Sequence, residues 1–440
     1  MYLKLAPMRK IKPAGDGRRV LFVSRQRLIG ATTGSSAYLL DLAAAVRSAG
    51  FEPHLMQPSP DLMGRWPALK LRPEMQVFES HRIRGVARFG PWVVSLDPSV
   101  YRDAVTTVLK RSLRTIGARG RWLADRPRPY AIAVPWTEAD RRFLRSVSAA
   151  DATARDEDIV IADYAFQSEA FALLPHRRCA IVMHDLFHAR TANGQDRGRD
   201  SVAALDRETE ITLLARADAV IAIQADEARF IAENVAGTKA ILVPMAAHPA
   251  PEPQPGQADR LLFVGSNTAP NVIALEWFFE FVWPTVRAAA PSTRLDVAGS
   301  VAGAFPGGGP PGVTFHGLVD DLQAYYARAG IVISPLTFGS GLKVKLVEAL
   351  ANGKAIVATG VTLQGVEQAC ANAVIRADDP EAFAAAILVL RDVQARHRLA
   401  VAALQAARDH FSPSACHAEF IAWLKADQVQ PPVETEECAA

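Results

Sequence analysis

Short runs of apolar residues alternate along the chain with longer stretches in which apolar residues recur at helical spacing. The run 18–24 stops at polar residues and predicts a buried strand, and the stretch 36–50 after it predicts a helix that Gly50 ends. The same pattern predicts further strands at 158–164, 179–185, 217–224 and 239–245. Strands that alternate with helices in this way indicate an α/β domain with a mostly parallel sheet over residues 18–245.

A proline-rich segment separates this domain from a second one. Residues 246–258 carry four prolines and few large apolar side chains, which predicts a semi-rigid linker. The alternation then restarts over 259–411, with a helix predicted at 271–289 and strands at 260–266, 293–300, 312–318, 330–336 and 355–359. Two Rossmann-like domains leave a cleft between them, and ligands of parallel sheets bind beyond the carboxyl ends of the strands. The cleft is therefore the predicted site.

The remaining segments are predicted from their composition. Residues 1–17 are expected to be a flexible N-terminus, and they lack the apolar core of a signal peptide. The pattern near 60–150 assigns no elements, so this stretch is interpreted as an insertion in the first domain. Residues 412–427 predict an amphipathic helix that packs back onto the domains, and the polar tail 428–440 is expected to be disordered.

Composition and charge narrow the class of protein. Half of the 440 residues are hydrophobic and 22% are charged, as in a soluble globular protein of two or three domains. The net charge of +3 gives no sign of a nucleic-acid partner, and no apolar run is long enough to span a membrane. The four cysteines are far apart and form no CxxC pair, which favours a reducing cytoplasm over a disulfide framework.

Basic residues crowd into one part of the first domain. Between Lys110 and Arg145 they surround Trp122 and Trp136. Either this segment is a solvated loop, or it makes a peripheral contact with an anionic membrane or an anionic acceptor. The second interpretation would place the protein at the inner face of the membrane.

The segment "GSGLKVKLVEALANGKAIVATG" at 339–360 follows the predicted strand 330–336. Gly339 and Gly341 allow positive φ and a close approach of a ligand to the backbone. A helix predicted from about Leu342 offers free N–H groups and the positive end of its dipole, which together favour an anion. A phosphate or pyrophosphate is the predicted ligand.

Three charged side chains accompany this helix start. Lys343 and Lys345 add positive charge for phosphates, and Glu348, three residues after Lys345, lies on the same face. A carboxylate one turn deeper than a phosphate site is placed to accept hydrogen bonds from a ribose diol, so the pattern favours a nucleoside diphosphate. In the alternative interpretation, Lys345 and Glu348 are only a surface pair on a core helix.

The motifs of the second domain resemble those of a known family. "FVGSNTAPNVIALEWF" and "VTFHGLVDDLQAYYARAGIVISPLTFGSGLKVKLVEALANGKAIVATGVTLQGVE", in this order, are similar to the C-terminal half of retaining glycosyltransferases of the GT-B fold, family 4 in particular. This resemblance covers about 260–411. The glycine loop from Gly30 to Gly34, with "VMHDL" and "RADAVIAIQADE", is compatible with the first domain of that family. The resemblance implies two Rossmann-like domains with the active site in the cleft.

The resemblance also implies roles on the donor side. Glu348 would bind the ribose, and Lys345, with Lys343, would neutralise the diphosphate. The implied donor-binding residues are Gly265, Ser266, Gly339, Ser340, Gly341, Leu342, Lys343, Lys345 and Glu348. Ser340 stands where many family members carry a glutamate, which puts the recognition of the sugar ring in question.

On the acceptor side, His184 directly follows the apolar run "CAIVM" and is expected to face the cleft. The family often has a histidine here that contacts the sugar or the acceptor. Asp163, Asp185 and Gly34 complete the implied acceptor side. With Lys345 and Glu348, His184 makes up the implied catalytic set.

The implied reaction moves a sugar from a nucleotide-sugar donor to a sugar or glycan acceptor with retention of configuration. Breaking the bond between sugar and phosphate puts negative charge on the leaving diphosphate, which lysines and a helix N-terminus would stabilise in place of a metal. The leaving phosphate oxygen can take the proton of the acceptor. No cofactor is implied, because the nucleotide sugar is a co-substrate. Glycan, lipid-linked glycan and protein acceptors all stay open.

Other classes of protein fit the sequence less well. His184 and His188 have the spacing of a zinc-binding HExxH helix, but aspartate replaces the glutamate. "DED" at 156–158 has the form of a metal-binding DxD, yet it precedes its strand and is expected to lie in a solvated loop. The first strand is not followed by the G-x-G-x-x-G of nicotinamide dehydrogenases. A catalytically inactive GT-B module that binds a sugar nucleotide as a scaffold, and a nucleotide-sugar epimerase, remain as alternatives.

Overall fold

The computed structural model describes residues 18–59, 66–115, 132–150, 158–192, 205–339 and 342–426. The strands in chain order are β1 (Arg19–Val23), β2 (Glu52–Gln57), β3 (Ala68–Lys70), β4 (Ser80–Ile83), β5 (Val86–Phe89), β6 (Trp92–Ser95), β7 (Ile159–Asp163), β8 (Arg178–Met183), β9 (Ala219–Ala222), β10 (Lys239–Leu242), β11 (Gln257–Val264), β12 (Arg294–Ala298), β13 (Val313–Gly317), β14 (Ala329–Ser334), β15 (Ala355–Ala358) and β16 (Ile375–Arg376).

The helices are α1 (Gly34–Ser48), α2 (Pro98–Thr115), α3 (Glu138–Ala150), α4 (Phe187–Ala192), α5 (Arg207–Leu214), α6 (Ala225–Asn234), α7 (Ala269–Trp277), α8 (Trp283–Ala289), α9 (Gln323–Arg328), α10 (Val344–Ala351), α11 (Gly360–Leu363), α12 (Glu367–Cys370), α13 (Pro380–Val389), α14 (Val393–His410) and α15 (Pro413–Lys425). Strands and helices therefore alternate through most of the described chain, as the hydrophobic pattern predicts.

The first domain is built, in the described residues, on a parallel sheet of seven strands in the order β10-β9-β8-β7-β1-β2-β4. The residues of β1, β7, β8 and β9 are buried throughout. Helices cover both faces of such a sheet, and its strands are continuous apolar runs because neither face meets water. This is why the four strands were recognisable in the sequence, and the structure places them next to one another at the centre of the sheet.

The second domain repeats this design with six described strands in the order β13-β12-β11-β14-β15-β16. The helix predicted at 271–289 is two helices joined by a π turn at Phe278–Val282. Pro284 explains the interruption, because it lacks the N–H that an unbroken helix would bond to the preceding turn. The chain keeps its direction through the turn, and Phe278, Val282 and Trp283 remain in the core.

The stretch near 60–150 contains elements that the sequence did not assign. β4 extends the first sheet, while β3, β6 and β5 form a separate antiparallel sheet that leads into α2. These strands have only three or four residues and are partly exposed. Short strands with mixed burial lack the continuous apolar run that marked the central strands.

The proline-rich segment 246–258 is attached to the second domain. The N–H of Ala247 donates to the carbonyl of Phe411 at 2.7 Å, and that of Ala250 donates to the carbonyl of Ala351, also at 2.7 Å. The buried Lys354 ammonium donates to the carbonyl of Gln254. The segment therefore runs along α10 and α14 instead of spanning the gap freely, and β11 begins at Gln257 within the predicted linker.

The last helix, α15, returns to the first domain. His417 Nε2 lies 2.9 Å from Asp41 Oδ2 of α1, and the Arg178 guanidinium donates to the carbonyl of Trp423 at 2.5 Å. Phe420 and Leu424 are fully buried in a core that both domains share. The chain thus crosses between the domains twice, which fixes the two walls of the cleft relative to each other.

Candidate active site in the interdomain cleft

A cavity of about 380 Å³ lies between the two domains. The first domain contributes the loop 31–33 and the first turn of α1, and the second contributes the residues after β11, β12 and β14 together with the start of α10. These are carboxyl ends of parallel strands, and ligands of this kind of fold bind there. The cavity lies where the strand pattern predicts it.

The start of α10 forms one wall of this cavity. The helix begins at Val344, two residues later than expected, and Lys343 is its N-cap without a capping hydrogen bond from its side chain. Gly339 has φ +131°, a conformation that favours glycine, as the sequence predicts. The apolar spacing is confirmed, because four side chains turn into the core: Leu342, Leu346, Ala349 and Leu350. Ser340 and Gly341 lie outside the described residues.

Lys345 and Glu348 are paired within the cavity wall. The Lys345 ammonium lies 2.7 Å from Oε1 and 2.8 Å from Oε2 of Glu348, and both residues line the cavity. The side chain of Lys345 is 41% exposed and that of Glu348 is 14% exposed. The pair is therefore the i, i+3 contact considered as an alternative, but it lies in the cleft and not on an outer surface.

Tyr326, which the sequence did not single out, supports this carboxylate. Its hydroxyl donates to Glu348 Oε2 at 3.4 Å, and the residue is fully buried beneath the cavity floor. Burial, together with the Glu348 charge, raises the pKa of Tyr326 well above its usual value, so the phenol stays a neutral donor. The glutamate is thus held from the core side and keeps its other face toward the cleft.

Lys343 brings a second ammonium group to the cavity and is surrounded by charge from the first domain. Burial lowers the pKa of Lys343 to about 8, and the carboxylates of Asp185 and Glu227 oppose this shift. Burial also raises the pKa of Glu227 to about 8, with the Asp185 charge as the next cause. Glu227 lies in the first turn of α6 and is fully buried. The lysine of one domain and two carboxylates of the other therefore interact across the cleft.

Backbone atoms approach closely at the ends of β11 and β12. Gly299 has φ +110°, and a Cβ there would lie 2.1 Å from the carbonyl oxygen of Gly265. Ser266 is held by Asn271, whose side-chain amide donates to the Ser266 carbonyl at 3.0 Å. Gly265, Ser266 and Gly299 all line the cavity. The predicted donor residues Gly265 and Ser266 therefore lie on the same cavity as Lys343, Lys345 and Glu348.

On the opposite wall, Gly34 begins α1 and faces the second domain. A Cβ at Gly34 would lie 3.9 Å from Val344 Cγ2, so the loop and the start of α10 meet here. Of the predicted acceptor-side residues, Gly34 lines the described cavity. Asp163 ends β7, and His184 and Asp185 follow the neighbouring β8; these three are not among the described lining residues of the cavity.

His184 lies in a buried polar network. Its Nε2 lies 2.7 Å from Asp163 Oδ1, and Asp163 also accepts hydrogen bonds from Ser24 Oγ at 2.5 Å and Gln26 Nε2 at 2.8 Å. The ring stacks on Tyr164 at 4.2 Å between centroids, and Tyr164 has the unusual φ of 72°. The side chain of His184 is only 7% exposed. This histidine is therefore fixed in orientation, and it is more enclosed than the sequence suggested.

The two histidines of "HDLFH" have separate partners. His184 contacts Asp163, whereas His188 Nδ1 lies 2.7 Å from Glu210 Oε2. α4 begins at Phe187, so His184 precedes the helix and the two rings do not share a helical face as in an HExxH site.

The expected solvated loop at "DED" is wrong for Asp158. This carboxylate is buried and accepts from the Arg19 guanidinium at 3.1 and 2.5 Å. The pair joins the amino-terminal ends of β1 and β7, whereas the cavity lies at the carboxyl ends of the strands. Asp156 and Glu157 lie outside the described residues.

Part of the basic stretch from Lys110 to Arg145 is ordinary folded structure. Trp136 is buried, and its indole N–H donates to the carbonyl of Phe166 at 3.2 Å. On α3, Arg141 pairs with Glu169, and Trp122 lies outside the described residues. No helix in the described part of the chain is long and apolar enough to cross a membrane.

Comparison with known proteins gives a family match in the second domain and a shared fold. Residues 258–392 match the sequence model of the family described as glycosyl transferases group 1. No curated protein matches the sequence. The whole chain is similar to solved structures of glycosyltransferases at low identity, which shows a shared fold.

Three of these structures illustrate the extent of the match. Sucrose-phosphate synthase from Thermosynechococcus elongatus is 15% identical with a TM-score of 0.59, over 92% of this chain and 97% of that chain. The pneumococcal O-GlcNAc transferase GtfA in complex with UDP and GlcNAc is 11% identical with a TM-score of 0.58, over 93% and 99%. Anabaena HepE in complex with UDP and glucose is 13% identical with a TM-score of 0.56, over 92% and 99%.

The likeness to these structures shows the predicted GT-B fold. The match to the glycosyltransferase family model lies in the second domain, over residues 258–392.

Proposed function

We propose that the protein transfers a sugar from a nucleoside diphosphate sugar to a glycan, lipid-linked glycan or protein acceptor, with retention at the anomeric carbon and without a metal ion. One observation carries the proposal. The cavity joins a carboxylate, Glu348, to two ammonium groups, Lys343 and Lys345, at the start of a helix whose dipole favours anions.

The donor fits this arrangement in one direction. Its ribose diol would donate to Glu348, which Tyr326 holds from below. Its diphosphate would lie toward the start of α10 and the crowded backbone at Gly265 and Gly299, where no side chain separates the ligand from the main chain. The UDP named in two of the similar structures supports a uridine nucleotide as the first candidate.

Donor binding would rearrange the Lys345 and Glu348 pair. In the structure the lysine occupies both carboxylate oxygens at 2.7 and 2.8 Å. Because the Lys345 side chain is 41% exposed, water screens this pair, which is then worth less than about 1 kcal/mol, and the diol and the diphosphate can replace it at small cost. Lys345 would then turn to the phosphates, and Glu348 would turn to the ribose.

In the proposed reaction, the bond between the anomeric carbon and the diphosphate oxygen breaks while the acceptor oxygen bonds to the same carbon on the same face. The acceptor proton passes to the leaving phosphate oxygen. Lys343 and Lys345 stabilise the charge that grows on the diphosphate, a contribution that increases toward the transition state. His184, fixed by Asp163, would position the acceptor or the sugar and supplies no base.

The sharpest test is turnover with candidate donors. A thermal-shift screen over UDP, GDP and dTDP sugars would select the donor, and release of the diphosphate with a glycan acceptor would then be measured with and without EDTA. We expect release of the diphosphate that depends on the acceptor and that EDTA does not reduce. We also expect the anomeric linkage of the product, axial or equatorial, to be the same as that of the donor sugar. Loss of activity in EDTA restored by a divalent ion would refute the metal-free proposal, and an inverted linkage would refute retention.

A second candidate function rests on Ser340, which stands where many family members carry a glutamate. A catalytically inactive module would bind the sugar nucleotide through the same cavity. Binding without release of the diphosphate, across a panel of glycan and lipid-linked acceptors, would favour this candidate.

A further inference from the structure

Large apolar side chains are exposed together in the part of the first domain that the sequence left unassigned. The residues are Phe89, Trp92, Leu96, Tyr101, Val105 and Leu109, called here the apolar face. Phe89 is 66% exposed and Leu96 is 64% exposed. Outside residues 66–109, the exposed large apolar side chains of the described chain are scattered over the second domain: Phe281, Leu318, Val389, Val393 and Val401. A cluster of this kind marks a contact surface.

Strand register explains why the aromatic residues share one side of the small sheet. Phe89 of β5 pairs with Trp92 of β6, and Trp92 pairs with Lys70 of β3. Residues that pair directly across strands point to the same face, whereas Val93, next to Trp92, is fully buried on the other face. The outer face of the sheet therefore presents a row of lysine, tryptophan and phenylalanine.

α2 extends this surface. Tyr101, Val105 and Leu109 recur every four residues and are exposed, while Val100 and Ala104 turn into the core. The Tyr101 hydroxyl donates to the carbonyl of Ser95 at 2.9 Å, which attaches the first turn of the helix to the end of β6. The helix thus presents an apolar stripe that adjoins the sheet at Leu96.

The charge around the apolar face is mostly positive. Residues 66–115 contain nine Lys and Arg but four Asp and Glu, an excess of five, whereas the whole chain has a net charge of only +3. The remainder of the chain is therefore net negative. Lys70, Arg102 and Arg111 are exposed on β3 and on α2, beside the apolar face. Its partner must be apolar at the centre and anionic at the rim.

We propose that the apolar face docks on a bilayer that contains anionic lipids. Tryptophan and phenylalanine fit the boundary between headgroups and acyl chains, and long basic side chains reach the phosphates around them. A second copy of this chain fits less well, because a twofold contact would bring two strongly positive surfaces together. This assigns the membrane contact to strands β5 and β6 and to α2, and not to α3.

Backbone hydrogen bonds connect the apolar face to the wall of the cleft. The N–H of Leu71 donates to the carbonyl of Pro91 at 2.7 Å, and the N–H of Arg72 donates to the carbonyl of Ile29 at 2.9 Å. Ala31, two residues after Ile29, lines the cavity. Docking would hold the cleft close to the headgroups. With the proposed function, on which this step rests, the acceptor class that fits is a sugar or glycan carried by a membrane lipid.

Vesicle co-sedimentation of the full chain tests the docking. Vesicles of phosphatidylcholine alone and of phosphatidylcholine with phosphatidylglycerol are compared at low and high salt. We expect binding to the anionic vesicles that weakens with salt, since exposed charges are screened. Arg102→Gln and Arg111→Gln should each weaken binding about fivefold. The double variant Phe89→Ser/Trp92→Ser should weaken binding to the anionic vesicles at least tenfold.

Matched controls are available on the far domain. The double variant Val389→Ser/Val393→Ser removes apolar side chains that are exposed to a similar extent as Phe89 and Trp92, and Arg398→Gln removes an exposed positive charge. These variants should bind as the natural chain does. All of the altered side chains are exposed, so an unchanged melting temperature is expected and checks that every variant folds.

Three results would overturn the proposal. The first is the absence of binding to anionic vesicles at low salt. The second is an equal loss of vesicle binding in the test variants and in the control variants. The third is a dimer, seen in sedimentation velocity, that the double variant Phe89→Ser/Trp92→Ser dissociates, in a protein that does not bind vesicles. Vesicle binding and turnover are separate measurements. Vesicle binding without sugar transfer would refute the proposed function and support docking by the apolar face. Sugar transfer to a soluble acceptor without vesicle binding would support the proposed function and refute the docking.

Discussion

The role of Glu348 gives the most direct test of how the cleft holds a donor. Glu348→Gln keeps the shape of the side chain and removes its charge. In the proposed complex the carboxylate accepts hydrogen bonds from both ribose hydroxyls, and a hydrogen bond to a charged group is worth about 1.5 to 3 kcal/mol. The substituted amide offers one neutral acceptor and a donor in place of the second oxygen.

The expected loss follows from the structure. About 1.5 to 3 kcal/mol is lost at one hydroxyl, and somewhat less at the other, where a neutral hydrogen bond remains. Against this, the variant no longer has to open the contact between Lys345 and Glu348, which is worth less than about 1 kcal/mol because Lys345 is 41% exposed. The dissociation constant for the diphosphate should rise at least tenfold.

Isothermal titration with UDP and with 2′,3′-dideoxy-UDP measures this effect. The natural protein should prefer UDP by at least tenfold, and Glu348→Gln should show a much smaller preference, because only one neutral hydrogen bond to the diol remains. Glu367→Gln is the matched control, since Glu367 is an exposed glutamate of the same domain outside the cavity lining. An equal preference for UDP in the natural protein and in Glu348→Gln would refute the ribose assignment.

Three further predictions concern charges whose surroundings differ. Lys345→Ala should reduce kcat/KM for transfer at least tenfold with a melting temperature close to that of the natural protein, because the side chain is half-exposed; unchanged turnover would count against its place at the diphosphate. Burial lowers the pKa of Lys343 to about 8, so the charged form is lost as pH rises through that value, and UDP affinity should fall there. Lys343→Arg should reduce this fall and leave the part that comes from Glu227, whose pKa burial raises to about 8. Asp158→Ala should lower the free energy of unfolding in urea by about 3 to 5 kcal/mol, since it removes the buried carboxylate that pairs with the Arg19 guanidinium. The exposed pair of Asp226 and Arg229 is its control, and Asp226→Ala should cost less than about 1 kcal/mol.

Features that depend on residues close together in the chain could be predicted from the sequence. The central strands were visible because burial on both faces leaves an uninterrupted apolar run. The segment from Gly339 to Glu348 was visible because a turn, a helix start and a contact at i, i+3 are local relationships. Its placement at the end of β14 followed from one strand assignment. The resemblance of 260–411 to a family rested on these same local motifs.

Features that depend on packing between distant segments could not be predicted. Tyr326 reaches Glu348 because β14 and β11 bring α9 and α10 over one face of the sheet, and nothing in "AYYARA" marks the second tyrosine. Glu227 was missed for a similar reason. It comes near Lys343 because two domains meet, and its position in the first turn of a helix is also that of an ordinary helix-capping carboxylate.

The sequence by itself determined the repeated strand and helix units, the glycine turn and the charges at the start of α10, because backbone geometry ties each of these to its neighbours in the chain. The tertiary structure decided which wall those charges face, which side chains of the other domain oppose them, and that the residues of α2 and β6 stay exposed beside the cleft. Those relationships are set by the order of the strands and by the contacts of 246–258 and α15 with the two domains, over separations that no local pattern records.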